Sequence, residues 1–191
     1  EVGLDTAVDA PLIGMIGRLV EHKGLSLITH VFDEMMSSGI QFVLLGTGDE
    51  KFEQFFREKS AQYKGKVAAI TAFSPELASR IYAGADLFLM PSISEPCGLA
   101  QMIALRYGTI PIVRATGGLR DSITPYDPET GKGNGVRFES INAHDMLDAV
   151  QRALRLYQEP EHWHRLVQNA FKTDCSWKKS AIEYVELYKS L

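Results

Sequence analysis

Apolar residues along the chain follow two alternating patterns. Short, nearly unbroken apolar runs predict buried β-strands at residues 11–16, 41–45, 66–71, 86–90 and 110–113, and residues 136–138 are a candidate for a sixth, short strand. Between these runs, apolar residues recur every three or four positions, as in Leu25, Ile28 and Val31, which predicts amphipathic helices. Strands that are apolar on both faces and alternate with helices are typical of a parallel sheet covered on both sides. The predicted fold class is therefore α/β, with a doubly wound parallel sheet.

The same patterns divide the chain into three parts. Residues 10–175 are predicted to form one domain. Residues 1–9 are acidic and lack a signal-peptide pattern, and we interpret them as a linker or the truncated start of a longer chain. The last helix, residues 176–191, follows the domain. Its apolar side chains recur as one stripe, formed by Trp177, Ala181, Tyr184, Val185 and Tyr188.

Composition excludes several classes of function. The 191 residues are 45% apolar and 23% charged, which is ordinary for a globular protein. The formal charge of -4 and the pI near 5.8 argue against a nucleic-acid surface and against a polybasic membrane anchor. No apolar run approaches the roughly 20 residues of a membrane span. Two cysteines, Cys97 and Cys175, are too few for a disulfide framework and favour a reduced, cytosolic compartment.

Polar side chains and glycines follow successive predicted strands. Because the carboxyl ends of parallel strands lie along the edge where open α/β sheets bind ligands, we expect these groups to cluster there. Arg18 follows the first strand directly, and Lys23 comes shortly after it. Glu95 lies in a loop that Pro91 and Pro96 keep free of regular structure. The other candidates for ligand contact are Gly17, Gly46, Gly48, Phe73, Cys97, Gly98, Leu99, Ala100, Arg114, Thr116, Gly117 and Gly118.

These groups suit a phosphate or a diphosphate. Arginine offers a planar fork of donors and lysine a point charge, and the helix that begins near Gly98 offers free N–H groups. Bare glycines let a ligand approach the backbone. Lys51 stands where a dinucleotide fingerprint needs a glycine after Gly46 and Gly48, and no P-loop sequence follows Gly17. The predicted anion site is therefore neither an ordinary NAD site nor an ordinary ATP site.

Six short motifs in the chain occur together in one known family. They are Gly17-Arg18-Leu19 with Lys23-Gly24, Ala83-Gly84-Ala85-Asp86, Pro91-Ser92, Glu95-Pro96-Cys97-Gly98-Leu99, Arg106-Tyr107-Gly108-Thr109 and Thr116-Gly117-Gly118-Leu119. In this order and at this separation they resemble the C-terminal domain of bacterial glycogen synthases and plant starch synthases. The resemblance covers residues 11–191 and implies the GT-B fold, in which two Rossmann-like domains face each other. This chain would supply the C-terminal half.

The resemblance also implies an activity. Enzymes of that family transfer glucose, with retention and without a metal or other cofactor, from ADP-glucose or UDP-glucose to the non-reducing end of an α-1,4-glucan. By the same resemblance, Arg18 and Lys23 neutralise the diphosphate and Glu95 contacts the donor sugar, so these three are the expected catalytic residues. Phe73 is expected beside the base. The distal phosphate is expected on the N–H groups of Gly98, Leu99 and Ala100.

The resemblance assigns the acceptor to a different part of the protein. In the family, the glucan binds with the help of an N-terminal domain, and the C-terminal helix crosses back to that domain. We therefore expect the apolar stripe of residues 176–191 to be partly exposed here, and the isolated domain to be inactive in glucan elongation. No nucleic-acid or membrane partner is expected. The expected compartment is the bacterial cytoplasm, or the plastid stroma for a plant protein.

Two other interpretations stay open at this point. One is a non-catalytic module that binds a nucleotide sugar. The other is a relative with the same fold, such as a sucrose-synthase-like transferase or a nucleotide-sugar epimerase. Ile103 stands where related retaining transferases carry a second glutamate, which argues against the sucrose-synthase-like enzyme. The base remains open as well, because stacking on Phe73 would suit adenine or uracil.

Overall fold

A parallel sheet of six strands forms the centre of the molecule. The computed structural model describes residues 2–7 and 9–191. The strands are β1 (Leu12–Ile16), β2 (Gln41–Leu45), β3 (Val67–Ile70), β4 (Leu87–Met90), β5 (Ile110–Arg114) and β6 (Val136–Phe138). Their spatial order is β3-β2-β1-β4-β5-β6, and every neighbouring pair is parallel. The predicted doubly wound α/β sheet is confirmed.

The strand order sets the position of the ligand crevice. From β1 the chain winds outward through β2 to β3, and it then returns to β4 on the other side of β1. In open parallel sheets, ligands bind where the winding reverses, at the carboxyl ends of the two strands involved. The loops that follow β1 and β4 therefore form the walls of the candidate site.

Helices connect the strands and cover both faces of the sheet. They are α1 (Leu25–Ser37), α2 (Glu50–Gln62), α3 (Pro75–Gly84), α4 (Ala100–Tyr107), α5 (Gly117–Ser122), α6 (Ala143–Tyr157), α7 (Pro160–Lys172) and α8 (Trp177–Lys189). A 3₁₀ turn, Glu21–Lys23, precedes α1. The sequence does not predict α5, because glycine is a poor helix former. Leu119 in α5 is fully buried, so packing stabilises this short helix.

Side chains from both faces of the strands are buried. On one face, the Phe42 ring contacts Phe32 of α1 and Phe56 of α2, with ring centroids 5.5 and 6.1 Å away. On the other face, Val43 belongs to a separate buried cluster with Ile81 of α3. Burial on both faces explains why the strands appear in the sequence as continuous apolar runs.

The C-terminal helix α8 contributes nothing to the core. None of its residues is buried, and Trp177 and Tyr188 are 87% and 70% exposed. The expectation that part of the apolar stripe is exposed is confirmed. Exposed aromatic side chains along one helix face are uncommon on free protein surfaces, which indicates that this face is suited to contact with another surface.

Asp86 links the start of β1 to the start of β4. Its Oδ2 accepts a hydrogen bond from the Leu12 N–H at 2.9 Å. Burial raises the pKa of this carboxyl group, the hydrogen bond from Leu12 opposes that rise, and the charge of Asp9 adds to it. The ionised side chain therefore costs free energy in the folded state that it does not cost in the unfolded chain.

We expect Asp86→Asn to raise the melting temperature at pH 7 and to leave it unchanged near pH 4. The asparagine keeps an oxygen for the Leu12 N–H and has no charge to desolvate. Because folding raises the pKa of Asp86, the wild type loses stability as the pH rises from about 3.9 through the folded-state pKa. Thermal unfolding across this range, with the exposed Asp121→Asn as control, measures the effect. Equal melting temperatures at pH 7 would contradict it.

Candidate functional site

The loop between β4 and α4, residues 91–99, forms one wall of the crevice and is held by the loop after β1. The His22 carbonyl accepts the N–H groups of Ile93 and Ser94, at 2.8 and 3.3 Å. Gly24 makes the close contact possible: it lies in the left-handed region, and a Cβ there would stand 2.0 Å from the Pro91 carbonyl oxygen. The loop after β1 and the loop after β4, which form the two walls of the crevice, are therefore joined by backbone contacts.

An ion pair crosses the crevice above this contact. Lys23 Nζ lies 2.5 Å from Glu95 Oε2, and the Ser92 hydroxyl donates to the same oxygen at 3.2 Å. The side chains of Lys23 and Glu95 are 23% and 10% exposed. Two of the three predicted catalytic residues are thus in direct contact with each other. Ser92 was not among the predicted site residues, although the Pro91-Ser92 motif three residues before Glu95 could have indicated it.

Arg18 is the uncompensated cation of the crevice. Its side chain is exposed, and none of the carboxylates in residues 2–7 and 9–191 lies within ion-pair distance of it. The Lys23 charge, in contrast, is balanced by Glu95. An anion that enters the crevice would therefore meet a net positive charge at Arg18 first.

Two adjoining cavities open beside these groups. The charged compartment, about 80 Å³, is lined by Arg18, Lys23, Ser92, Glu95, Gly98, Leu99 and Ala100, among others. The apolar compartment, about 310 Å³, is lined by Leu45, Gly46, Thr47, Ala72, Phe73, Pro75 and Ala78, among others. Both share Ile16, Gly17 and Arg18. Space is open where a side chain at Gly17 would project, so a ligand can approach the backbone there.

Phe73 stands at the mouth of the apolar compartment and is 90% exposed. A flat aromatic ring beside an apolar cavity suits another flat ring. Leu99 and Ala100 lie at the start of α4, where Leu99 is the N-cap and Ala100 the first helical residue. The helix therefore begins slightly later than the sequence predicts. Cys97 is exposed and lines neither compartment.

Arg114 has a different role from the one predicted. Its side chain is buried, and its nitrogens donate to three backbone carbonyls: Nε to Ser92 at 2.8 Å, Nη2 to Ile93 at 2.6 Å and Nη1 to Glu139 at 3.3 Å. Burial lowers the pKa of Arg114, and nearby Arg120 lowers it further. The expectation that Arg114 faces an anion is corrected: it braces the loop after β4 and lines neither compartment.

Gly118 and Gly117 also support the loop rather than a ligand. The Gly118 N–H donates to the carbonyls of Glu95 and Pro96, at 3.2 and 3.1 Å. A Cβ at Gly118 would stand 2.1 Å from the Cys97 carbonyl oxygen, and one at Gly117 would stand 2.2 Å from that of Glu95. These glycines are needed because two loops pack backbone to backbone. Thr116 is the N-cap of α5, and its side chain makes no cap hydrogen bond.

The glycines after β2 also allow two loops to pack backbone to backbone. A Cβ at Gly46 would stand 1.8 Å from the Gly17 carbonyl oxygen, and one at Gly48 would stand 2.3 Å from that of Leu19. The Gly48 N–H donates to Glu53 Oε1 at 2.8 Å, so it is not available to a ligand. The expectation that Gly48 admits a ligand to the backbone is therefore corrected. Ligand contact at Gly46 stays a prediction, because Gly46 lines the apolar compartment.

The crevice thus combines an exposed arginine, an ion pair, the start of a helix and an adjacent apolar compartment. Within the described ranges, no group of three or more potential metal ligands occurs, and no helix is long and apolar enough to cross a membrane. A parallel sheet with a crevice at its switch point defines a Rossmann-like α/β domain, and such domains bind ligands at this position.

The particular family follows from comparison with known sequences. The chain belongs to the glycosyl transferases group 1 family, whose sequence model matches residues 4–173. It is 54% identical over 191 residues to the glycogen synthase of Geobacillus thermodenitrificans (strain NG80-2), and 51% identical over 191 residues to that of Fusobacterium nucleatum subsp. nucleatum. These matches cover 100% of this chain and 39% and 41% of the two relatives, so the chain spans about two fifths of their length.

Solved structures give the same result for the fold. The catalytic domain of starch synthase IV from Arabidopsis thaliana, bound to ADP and acarbose, is 41% identical, with a TM-score of 0.88 over 99% of this chain and 40% of that one. Sucrose-phosphate synthase from Thermosynechococcus elongatus is 22% identical, with a TM-score of 0.72 over 95% of this chain and 45% of that one, which concerns the fold alone. The expected GT-B fold and the resemblance to glycogen and starch synthases are confirmed.

We expect Lys23→Met to destabilise the protein by about 2 kcal/mol, because it leaves the Glu95 carboxylate largely buried and unpaired. Fully buried pairs lose about 3–5 kcal/mol in this way, and the partial exposure of Lys23 reduces the effect. Adding Glu95→Gln to Lys23→Met should restore most of the loss. Lys51→Met, which breaks an exposed pair with Glu21, should cost below about 1 kcal/mol.

Urea unfolding of the three variants and the wild type measures these differences. A double variant no more stable than Lys23→Met would show that the packing of the lysine side chain, and not its charge, stabilises the loop.

Proposed function

We propose that this chain is the donor-binding domain of a glycogen or starch synthase. The whole enzyme would transfer glucose from ADP-glucose or UDP-glucose to the non-reducing end of an α-1,4-glucan. The observation that carries the proposal is the arrangement of Arg18, the Lys23–Glu95 pair and the start of α4 around one compartment, with an apolar compartment beside it.

In this proposal each part of the donor has a matching part of the crevice. The base enters the apolar compartment beside Phe73, and the diphosphate lies between Arg18, Lys23 and the N–H groups at the start of α4. The sugar then faces Glu95, whose Oε1 makes no hydrogen bond within the described part of the chain. ADP is the first nucleotide to test, because the starch synthase neighbour holds ADP.

The chemistry also suits these groups. As the glycosidic bond breaks, negative charge grows on the departing diphosphate. Fixed cations stabilise that charge more strongly in the transition state than in the bound donor, and this difference accelerates transfer. Arg18 and Lys23 would supply it, so the proposed reaction requires no metal or other cofactor.

The other interpretations are less favoured. Full coverage of the chain by glycogen synthases at 51–54% identity favours a synthase over an epimerase or a sucrose-synthase-like enzyme. A module that binds a nucleotide sugar without catalysis would share the donor site, and glucan elongation by a longer protein that contains this chain would separate it from a synthase. The glucan acceptor would bind with the help of a further domain that α8 reaches. We propose a cytoplasmic or plastid setting with no nucleic-acid or membrane partner.

We expect Arg18→Ala to weaken ADP binding roughly tenfold or more, because one charge-assisted hydrogen bond to phosphate contributes about 1.5–3 kcal/mol. The melting temperature should barely change, because the side chain is exposed. Calorimetry with ADP, UDP and both glucose conjugates measures the affinities. The matched control is Arg155→Ala, which removes an exposed arginine from α6. Equal ADP affinity in both variants would place the anion elsewhere.

We expect this chain alone to bind ADP-glucose without elongating glycogen. Transfer requires the acceptor hydroxyl to be held against the anomeric carbon, and such positioning supplies a large share of the rate. The measurement is incorporation of labelled glucose into glycogen, with a full-length relative as control. Activity within about tenfold of the control would mean that positioning by further parts of the enzyme is worth under about 1.4 kcal/mol.

A further inference from the structure

The side-chain amide of Gln101 lies beneath the start of α4. Gln101 follows the first residue of this helix and is 0% exposed. Its Nε2 donates to three acceptors: the carbonyls of Cys97 and Gly98, at 3.1 and 2.9 Å, and Ser122 Oγ at 3.1 Å. Two hydrogens are thus shared among two carbonyls of the loop after β4 and one hydroxyl of α5.

The oxygen of the same amide has no donor. Gln101 Oε1 is buried and lacks a hydrogen-bond partner in the part of the chain that the structure describes. Reversing the amide would place this oxygen against two carbonyls and lose their bonds. An apolar side chain of the same size would avoid this unpaired acceptor but would leave the carbonyls of Cys97 and Gly98 without their donor. The amide therefore fixes two loop carbonyls at the cost of one unpaired oxygen, and what this does to the direction of the loop backbone needs an explanation.

Peptide geometry supplies that explanation. In a trans peptide unit the C=O and N–H groups point in opposite directions, and the described residues contain no cis peptide. The Cys97 carbonyl shares its unit with the Gly98 N–H, and the Gly98 carbonyl shares its unit with the Leu99 N–H. By binding both carbonyls, Gln101 turns both N–H groups away from itself. Neither N–H has an acceptor among the described residues, and both Gly98 and Leu99 line the charged compartment.

We propose that Gln101 is a positioning residue, whose amide orients the N–H groups of Gly98 and Leu99 toward the distal phosphate of a nucleoside diphosphate. The inference rests on the proposed function, because it takes the donor diphosphate as the anion. Ser122 holds the amide in place, since its Oγ accepts from Nε2 and donates to the Gly118 carbonyl at 2.5 Å. Gly98 leaves room for it: a Cβ there would stand 2.5 Å from Oε1.

The test compares two probes that differ only in the distal phosphate, ADP and AMP, by calorimetry on the purified chain. Gln101→Met keeps the length of the side chain and removes its donors. We expect it to weaken ADP binding about tenfold, the scale of one lost charge-assisted hydrogen bond, and to change AMP affinity less than twofold. Ser122→Ala removes one support of the amide and should give the same selective loss at a smaller size. The matched control is Gln168→Met, an exposed position in α7.

The outcomes separate this inference from the proposed function. A loss confined to ADP in either the Gln101 or the Ser122 variant supports the positioning role, even if one of them folds poorly. Equal losses for ADP and AMP would indicate a general structural role and overturn the inference, as would unchanged ADP affinity in both variants. A wild-type chain that binds neither nucleotide would overturn the proposed function, and the inference with it.

Discussion

The loop between β4 and α4 has no regular secondary structure, so its backbone carbonyls need hydrogen-bond donors from elsewhere. Arg114 provides them for Ser92 and Ile93, Gly118 for Glu95 and Pro96, and Gln101 for Cys97 and Gly98. The rest of the crevice depends on this constraint. Glu95 can meet Lys23 only because its loop is fixed on both sides, and the closeness of the loops is what requires glycine at several positions.

The two cations of the crevice differ in how their charges are balanced. Moving Lys23 and Glu95 out of water costs free energy, and their attraction offsets that cost only in a fixed arrangement, which the surrounding hydrogen bonds provide. The pair is neutral, whereas Arg18 at the mouth of the crevice keeps its charge exposed. A lysine ammonium has three donors and gives one to Glu95 here, so in the proposed role it can contact a phosphate without leaving its carboxylate.

Much of this molecule could be predicted from its sequence. Nearly unbroken apolar runs predicted five of the strands, Val136–Phe138 was expected as a short sixth, and the parallel topology brought the residues after β1 and β4 together as expected. The errors concern groups whose chemistry serves two purposes. A guanidinium can donate hydrogen bonds to a phosphate or to backbone carbonyls. Arg114 was therefore assigned to a ligand, although it binds backbone carbonyls. A glycine leaves room for a ligand or for another loop, so Gly48 and Gly118 were assigned to a ligand when they allow loops to pack together. Gln101 gave no signal, because an isolated polar residue in a short helix usually faces water.

The misread residues and the candidate anion site have one physical origin. A peptide unit has a C=O end and an N–H end, and a protein that binds one end of successive units with its own donors leaves the other end free in a fixed direction. In this loop the bound end is the carbonyl end, from Ser92 to Gly98, with the exception of Ser94. At the Gly98 end of the loop, the free end is the N–H end. Free N–H groups at the Gly98 end of the loop favour an anion even without the charges of Arg18 and Lys23. These two side chains add positive charge to a part of the backbone that already attracts anions.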